Sequence, residues 1–203
     1  MGVTERRERE RQAVRQEILD AARAVFLEEG YERTSMRKVA QKIEYSPTTI
    51  YLYFHDKREL LDSICAETFS KFVKGLQESG QANEDPLQNL RATLRAYVEF
   101  GLKNPNDYRV TFMMTDQQKA HIQYFQPDHP GTKAFMHLVG VVAECVRRKR
   151  IRNVDPNLTA QVLWSAAHGL TSLLLAKPDF PWAPTDDLID SLGNALIEGL
   201  KPA

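Results

Sequence analysis

Apolar residues recur every three or four positions over most of the chain, which is the spacing of one face of an α-helix. No segment shows the alternation of apolar and polar residues that is typical of a β-strand. The sequence therefore predicts an all-α protein. Gly30 separates the first two stripes of apolar residues along the chain. Glycine is a residue type that often ends a helix. These stripes are formed by Val14, Ile18, Ala21, Ala22, Val25 and Phe26, and by Met36, Val39, Ala40 and Ile43.

The stretch from Thr34 to Lys57, TSMRKVAQKIEYSPTTIYLYFHDK, predicts two short helices joined by a tight turn. Thr34 or Ser35 is suited to cap the first helix. Ser46 is suited to cap the second, with Pro47 at the first helical position, where its missing N–H costs nothing.

The second short helix has Ile50 and Phe54 four residues apart, so both are expected to face inward. Asp56 is then placed to cap a long helix that reaches about Glu78, with Glu59 at the reciprocal position of a capping box.

The second half of the chain repeats the helical pattern after a polar segment at residues 79–85. Residues 108–125 are rich in aromatic residues and methionine but have poor periodicity, which predicts one or two short helices. Residues 156–176 are apolar almost all round, so this helix is expected to be buried on both faces. Residues 186–200 form the last predicted helix.

The composition is that of a globular protein, with 203 residues, 42% apolar residues and 27% charged residues. No apolar run approaches the length of a membrane helix, and because the start MGVTERRERERQ is charged we expect no secretory signal there. Cys65 and Cys145 have no motif around them, which favours buried thiols in a reducing setting. We therefore expect a cytoplasmic protein.

The net charge is zero, but residues 33–57 carry a local positive surplus of three. The anions of this segment are Glu44 and Asp56. Its cations are Arg33, Arg37, Lys38, Lys42 and Lys57. A surplus of this kind suits the binding of phosphates while the whole protein stays neutral.

The second short helix carries side chains that suit the major groove of DNA, which accepts one helix with small or polar residues. Thr48 and Thr49 are placed to meet base edges, and Tyr51, Tyr53 and Lys57 to donate to phosphates. Ser35 and Arg37 on the preceding helix are placed to reach the flanking backbone. From the residues alone, an ordinary solvated helix face stays open as the alternative.

The run from Ile18 to Leu61, ILDAARAVFLEEGYERTSMRKVAQKIEYSPTTIYLYFHDKRELL, resembles the DNA-binding domain of the TetR family of transcriptional repressors. The resemblance implies a three-helix DNA-binding domain over residues 1–56, with residues 47–54 as the recognition helix. It implies DNA contacts by Ser35, Arg37, Ser46, Pro47, Thr48, Thr49, Tyr51, Tyr53 and Lys57. Glu44 departs from the family, which usually has glycine in the turn, so Glu44 must either be helical or accept strain.

Residues 57–203 are expected to form a larger helical domain for effector binding and dimerisation. Trp164, His168 and Gly169 resemble a Trp-x-x-x-His-Gly motif from one branch of the same family. The resemblance implies a homodimer through residues 156–176 and 186–200, which places two recognition helices on a palindromic operator.

Rings and methionines suit an adaptable apolar pocket for a small-molecule effector. The predicted ligand-binding residues are Tyr97, Phe100, Tyr108, Phe112, Met113, Tyr124, Phe135, Trp164 and His168. Simple core packing is the alternative for each of them. For His168 the alternative is a packed, hydrogen-bonded histidine.

The sequence thus predicts a sequence-specific DNA-binding regulator, a repressor released from double-stranded operator DNA by a small, largely apolar ligand. The alternative is a helical ligand- or protein-interaction module that has lost DNA binding. The chain shows no spacing typical of catalytic groups, and its histidines lack the spacing of a metal site. We therefore expect no enzyme activity, no metal and no cofactor.

Overall fold

The computed structural model describes residues 2–80, 85–114 and 128–202, and all regular secondary structure within these ranges is helical. This confirms the predicted all-α class. The helices are α1 (Val3–Glu29), α2 (Met36–Lys42), α3 (Pro47–Tyr51), α4 (Lys57–Gly80), α5 (Pro86–Lys103), α6 (Pro105–Tyr108), α7 (Pro130–Arg147), α8 (Pro156–Ala176) and α9 (Thr185–Glu198), with a π-helical turn at Arg109–Met113. Tyr124 and most of the polar segment expected at 79–85 lie outside the described residues.

The described residues fall into two compact units. The first contains residues 2–68 and 106–114, and the second contains 69–80, 85–105 and 128–202. None of the described helices has both the length and the apolar character needed to cross a membrane.

The first unit is built around one apolar core to which α1, α2, α3 and the start of α4 contribute. Its members include Ile18, Ala22, Phe26, Val39, Ile50, Phe54, Leu60 and Ile64. All of them except Leu60 and Ile64 are residues that the helical spacing placed on an apolar face. Val110 of the π-helical turn joins the same core, so residues well beyond α4 in the chain complete this unit.

The ends of α1 and α2 follow from local chemistry. Gly30 has φ 77° and donates its backbone N–H to Phe26 O at 2.9 Å, which ends α1 as predicted. Ser35 then caps α2, because its hydroxyl accepts the Lys38 backbone N–H at 3.3 Å. Thr34 instead donates its hydroxyl to Gly30 O at 2.8 Å.

The start of α4 differs slightly from a regular capping box. Asp56 accepts the Glu59 backbone N–H at 2.8 Å, as expected for a cap. The Glu59 carboxylate, however, accepts the backbone N–H of His55 at 2.6 Å rather than that of Asp56. The exchange is therefore displaced by one residue, and it fixes the turn that leads from α3 into α4.

In the second unit, α5, α7 and α8 pack against one another and α9 packs against α5. Both α5 and α8 begin with an Asp-Pro pair, in which the carboxylates of Asp85 and Asp155 accept the N–H of Leu87 and Leu158. A clamp from Arg95 to Asp186 at 2.7 Å and to Asp190 at 2.6 Å joins α5 to α9.

Three cations of the basic run at residues 147–150, at the end of α7, pair with nearby carboxylates. Glu144 accepts from Arg147 at 2.5 Å and from Arg148 at 2.7 Å. Arg150 lies 2.9 Å from the Asp85 carboxylate. The run lies at the C-terminal end of α7, where cations complement the helix dipole.

Candidate functional site

Helix α3 is a short, capped helix with one buried and one exposed side. Ser46 Oγ accepts the Thr49 backbone N–H at 3.1 Å and lies 2.9 Å from the Thr49 hydroxyl. Ile50 and Phe54 are buried in the core of the first unit, as their spacing predicted.

The opposite side of α3 projects into solvent. Pro47 and Thr48 are exposed, and Tyr51 and Leu52 are 55% and 72% exposed. Leu52 was not among the predicted site residues, although its place two positions from both Ile50 and Phe54 turns it away from the core. An exposed apolar group of this size fits a thymine methyl, and the Thr48 hydroxyl fits a base edge.

The remaining predicted contacts on α3 are more enclosed. Thr49 and Tyr53 are half-buried, and Tyr53 packs against the core of the first unit. The Thr49 hydroxyl is engaged with Ser46, so these two residues shape the start of the helix.

The cations around α2 are less available than the sequence suggested. Lys38 forms an ion pair with Glu29, and Lys42 lies 2.7 Å from the Glu28 carboxylate. Arg37 is exposed, and within the described residues it has no ion pair. Arg37 is thus the cation of α2 that is best placed to meet an external phosphate.

Lys57 makes contacts within the first unit. Its ammonium donates to Tyr31 O at 3.0 Å and Glu32 O at 3.4 Å, and it lies 4.3 Å from the centre of the Tyr31 ring. A cation over a ring face is electrostatically favourable. Lys57 therefore ties the start of α4 to the α1–α2 connection, a role that sequence spacing did not indicate.

The turn between α2 and α3 is left-handed at Glu44, which has φ 59°. Of the two alternatives that the sequence left open for Glu44, the structure adopts the strained one. Next to it, the Tyr45 hydroxyl donates to the Glu17 carboxylate at 2.8 Å, and this bond raises the pKa of Tyr45. Nothing in the local sequence pattern points to that tie between the turn and α1.

A buried arginine on α1 was also missed. Arg23 is 8% exposed and lies 2.5 Å from Asp20, 2.8 Å from Glu67 and 2.6 Å from Asp107. A signal was present, because Leu19, Arg23 and Phe26 share one helix face. An arginine on an apolar face indicates a buried partner.

In the second unit, a chain of hydrogen bonds connects α5 to α8. Trp164 Nε1 donates to Tyr97 Oη at 3.1 Å. Tyr97 Oη lies 3.2 Å from His168 Nδ1, and His168 Nε2 lies 3.2 Å from Ser172 Oγ. His168 is thus hydrogen-bonded through both ring nitrogens.

The direction of these bonds follows from the tryptophan, because an indole N–H only donates. Tyr97 Oη accepts from Trp164 and has its own proton to give to Nδ1 of His168. A neutral imidazole then carries its proton on Nε2 and donates it to Ser172. Burial lowers the pKa of His168, which favours this neutral form.

Aromatic rings surround this chain of bonds. The Phe72 ring lies 5.3 Å from Tyr97 and 5.0 Å from Phe100, and Phe135 lies 6.1 Å from Trp164. Tyr97, Phe100, Phe135, Trp164 and His168 thus all lie in the second unit. Five of the predicted ligand-binding residues are brought together in this way.

The other predicted ligand-binding residues are placed differently. Tyr108, Phe112 and Met113 belong to the first unit, where Tyr108 is fully buried and its ring lies 4.8 Å from Phe112. Tyr124 lies outside the described residues. Within the described ranges, no three His, Cys, Asp or Glu side chains are grouped to hold a metal ion.

Comparison with known families matches both halves of the chain. Residues 18–64 match "Bacterial regulatory proteins, tetR family", and residues 90–199 match "Tetracyclin repressor-like, C-terminal domain". The second match alone covers more than half of the chain.

Individual relatives agree with these matches. The chain is 22% identical over 186 residues to the fatty acid metabolism regulator protein of Bacillus subtilis, covering 90% of this chain and 91% of that protein. It is 37% identical over 76 residues to the transcriptional repressor KstR of Mycobacterium tuberculosis, covering 37% of this chain and 34% of the repressor.

The fold is shared with solved regulators. The fatty acid degradation regulator FadR from Bacillus halodurans superposes with a TM-score of 0.76 at 19% identity, covering 90% of this chain and 94% of FadR. A putative fatty acid metabolism regulator from Clostridium perfringens gives a TM-score of 0.77 at 17% identity, covering 92% and 100% of the two chains. The chain therefore belongs to the tetR family of bacterial regulatory proteins and is an all-α, helix-turn-helix transcriptional regulator.

Proposed function

We propose that this regulator is a repressor that binds a palindromic operator as a homodimer and is released by a small, largely apolar ligand. The observation that carries the proposal is the division of α3 into two sides. Ile50 and Phe54 hold the helix on the core, while Thr48, Tyr51 and Leu52 stand in solvent. A short helix held in this way can enter a major groove without unfolding its own unit.

The proposed DNA contacts fall into two groups, those to the bases and those to the phosphate backbone. Pro47, Thr48 and Tyr51 face the bases, and Ser35, Ser46, Thr49 and Tyr53 offer hydroxyls to the flanking backbone. Arg37 supplies the charge-assisted phosphate contact, because Lys38 and Lys42 already pair with glutamates. Lys57 acts by holding the α1–α2 connection in place, with one remaining ammonium proton directed to a phosphate.

The dimer interface is assigned to residues 156–176 and 186–200. Leu158, Val162 and Leu173 of α8 are 62%, 54% and 51% exposed. They lie with Gly169 along one side of the helix, whereas Leu163 and Ala167 on the other side are buried. An exposed apolar stripe of this length is typical of an interface, and a glycine within it lets a second helix approach closely.

We assign the effector-binding site to the aromatic cluster of Tyr97, Phe100, Phe135, Trp164 and His168. Its rings suit an apolar body, and the Trp164–Tyr97–His168 bonds offer a polar group that an effector can displace. Acyl lipids are the first ligand class to test, because the full-length relative from Bacillus subtilis is named as a fatty acid metabolism regulator.

Gel-shift titration of DNA flanking the protein's own gene tests the DNA-binding function. Tyr51→Ala and Thr48→Ala are expected to abolish the specific complex. Arg37→Ala is expected to weaken binding to all sequences and to reduce the salt slope by about one. Lys103→Ala removes an exposed cation from α5 and serves as the matched control.

Two outcomes would overturn the proposal. No DNA binding at low salt by the intact protein would favour the alternative, an interaction module without DNA function. Binding that survives Tyr51→Ala and Thr48→Ala together would reject α3 as the recognition helix. Release of the DNA complex by medium-chain and long-chain fatty acids tests the effector separately.

A further inference from the structure

The first turns of α1 extend beyond the core of the first unit. Residues 4–13 are all exposed, Val14 packs against the core from its edge, and Ile18 is the first residue of α1 that is fully buried. We refer to residues 4–13 as the α1 arm, which is about 15 Å long at 1.5 Å per residue. Since the arm buries no apolar face, any role that it has must come from its charged side chains.

The arm leaves the first unit beside α3. The last turn of α1 forms ion pairs with α2. Nearer the arm, the Glu17 carboxylate accepts from the hydroxyl of Tyr45, which comes just before α3. The Arg15 guanidinium lies 5.0 Å from the ring centre of Phe54, which comes just after α3. The arm therefore begins next to α3 and continues past it on the side away from α2.

Two arginines of the arm, Arg7 and Arg11, have no ion pair or side-chain hydrogen bond among the described residues. The glutamates of the arm are bonded to other groups, Glu10 to Arg6, Glu8 to the amide of Gln12 and Glu5 to the Gly2 N–H. Like charges four residues apart destabilise a helix slightly. The two arginines thus do not stabilise the arm, and both are available to an anion outside it.

Arg7 and Arg11 lie on the face that α1 turns towards the core. Side chains four or seven residues apart share one side of a helix, and Arg11 precedes Ile18 by seven residues. Ile18 is fully buried in the core to which Ile50 of α3 also belongs. From α1, the exposed side of α3 lies beyond Ile50 in the same direction. Where the arm passes α3, its two arginines therefore point towards whatever α3 binds.

We propose that Arg7 and Arg11 bind the phosphate backbone of the DNA that flanks the site occupied by α3. This inference rests on the proposed role of α3 as recognition helix and adds a DNA contact outside the helix-turn-helix. Duplex DNA carries one charge per about 1.7 Å of its axis, so an arm about 15 Å long passes several phosphates. The planar fork of N–H donors on a guanidinium suits a phosphate. Such a contact raises affinity without reading the flanking sequence.

Fluorescence anisotropy with the full-length protein and a labelled duplex of the DNA flanking its own gene tests this contact. Arg7→Gln combined with Arg11→Gln should weaken binding at least about tenfold at 0.1 M salt. It should also reduce the slope of log K against log salt by about two per bound chain. Glutamine has nearly the helix propensity of arginine, so the arm stays helical, which circular dichroism verifies.

Two further double variants show whether position or charge matters. Arg6→Gln combined with Arg9→Gln removes the same charge from another face of the arm, and it should weaken binding less than about threefold. Arg7→Lys combined with Arg11→Lys keeps the charge, and it should stay within about fivefold of the wild type. Equal losses in the two glutamine variants would assign the effect to net charge alone and overturn the proposal.

Duplexes of decreasing length locate the contact. Trimming both ends should remove the difference between the wild type and the Arg7→Gln, Arg11→Gln variant before it removes binding through α3. A difference that persists on the shortest duplex still bound would overturn the flanking contact. So would a variant that binds every duplex like the wild type, as expected if the arm meets an acidic protein instead.

These outcomes differ from a failure of the proposed function. In that case the wild type would bind no duplex at low salt, or Thr48→Ala and Tyr51→Ala together would leave binding intact. Either result would overturn the recognition role of α3 and the flanking contact with it. Binding that requires Thr48 and Tyr51 but is unchanged by the loss of Arg7 and Arg11 would reject the flanking contact alone.

Discussion

Arg23 Nε lies 2.6 Å from the Asp107 carboxylate, although the two residues are far apart in the chain. Asp107 belongs to α6 and Arg23 to α1, so this pair holds α6 and the following π-helical turn in the first unit. Glu67 of α4 accepts from the same guanidinium at 2.8 Å. The buried guanidinium of Arg23 thus connects α1, α4 and α6. The local sequence pattern does not predict that these helices are in contact.

Replacing Arg23 by methionine should lower the free energy of unfolding by about 2–4 kcal/mol, because Glu67 and Asp107 lose their shared cation in a poorly solvated site. Urea unfolding monitored by circular dichroism measures the loss. The matched control is Arg6→Met, which removes an exposed pair with Glu10 and should cost about 0.5 kcal/mol or less. Equal losses of unfolding free energy in the two variants would show that the ion pairs of Arg23 stabilise the fold no more than an exposed ion pair does.

Replacing Glu44 by glycine should raise the free energy of unfolding by about 0.5–1 kcal/mol. The left-handed backbone at Glu44 costs about 1–2 kcal/mol for a residue with a Cβ, and the extra flexibility of glycine in the unfolded chain offsets part of the gain. Thermal unfolding compares the variant with Glu44→Ala, which keeps the Cβ and should give no such gain. A more stable alanine variant would point to the charge of Glu44 rather than to its backbone.

Helix ends were predictable where their chemistry is local. Ser46-Pro47 and Asp155-Pro156 each combine a capping side chain with a proline at the first helical position, and α3 and α8 begin there. The buried face of α3 was equally predictable, since Ile50 and Phe54 lie on one side of a single helix. Such signals need no knowledge of the residues that pack against them.

Contacts across the fold were not predictable in the same way. Lys57 has the spacing of a phosphate ligand, but its ammonium reaches carbonyl groups of residues 31 and 32, which a chain pattern cannot reveal. Tyr108 looks like a pocket residue by composition, yet it is fully buried in the first unit. The partners of Lys57 lie 26 and 25 residues away along the sequence.

His168 should make stability depend on pH below about 6.5. Its folded pKa is lowered by burial, so the unfolded chain binds more protons below the unfolded pKa of about 6.5. The free energy of unfolding is therefore highest above that pH and falls as the pH decreases. In the His168→Gln variant, the free energy of unfolding should fall less between pH 7.5 and pH 5.5 than it does in the wild type. Urea unfolding at the two pH values measures this difference.

His137 provides a second test of the same reasoning, because burial also lowers its pKa. His137→Gln should reduce the same loss of stability, and the double variant should reduce it further. An unchanged pH dependence in the double variant would show that neither imidazole is held in its neutral form by the fold.

Glu144 should affect stability in a lower pH range than the histidines. Its hydrogen bonds to Arg147 and Arg148 lower its folded pKa to about 2. A carboxylate with a lowered pKa stabilises the fold fully above its unfolded pKa, and the contribution is lost as the pH falls towards the folded value. The difference in unfolding free energy between the wild type and Glu144→Gln should therefore be constant above about pH 5 and shrink towards pH 2.

The ion pairs of Glu144 with Arg147 and Arg148 allow the electrostatic origin of this pH dependence to be tested. The ion pairs are partly exposed, so 1 M salt should reduce the difference between the wild type and Glu144→Gln at every pH. Replacing Arg148 by glutamine should reduce the same difference, because the carboxylate then keeps only Arg147. If the difference stays constant down to pH 2 in low salt, the ionised carboxylate of Glu144 contributes nothing, and the end of α7 is held by its backbone bonds alone.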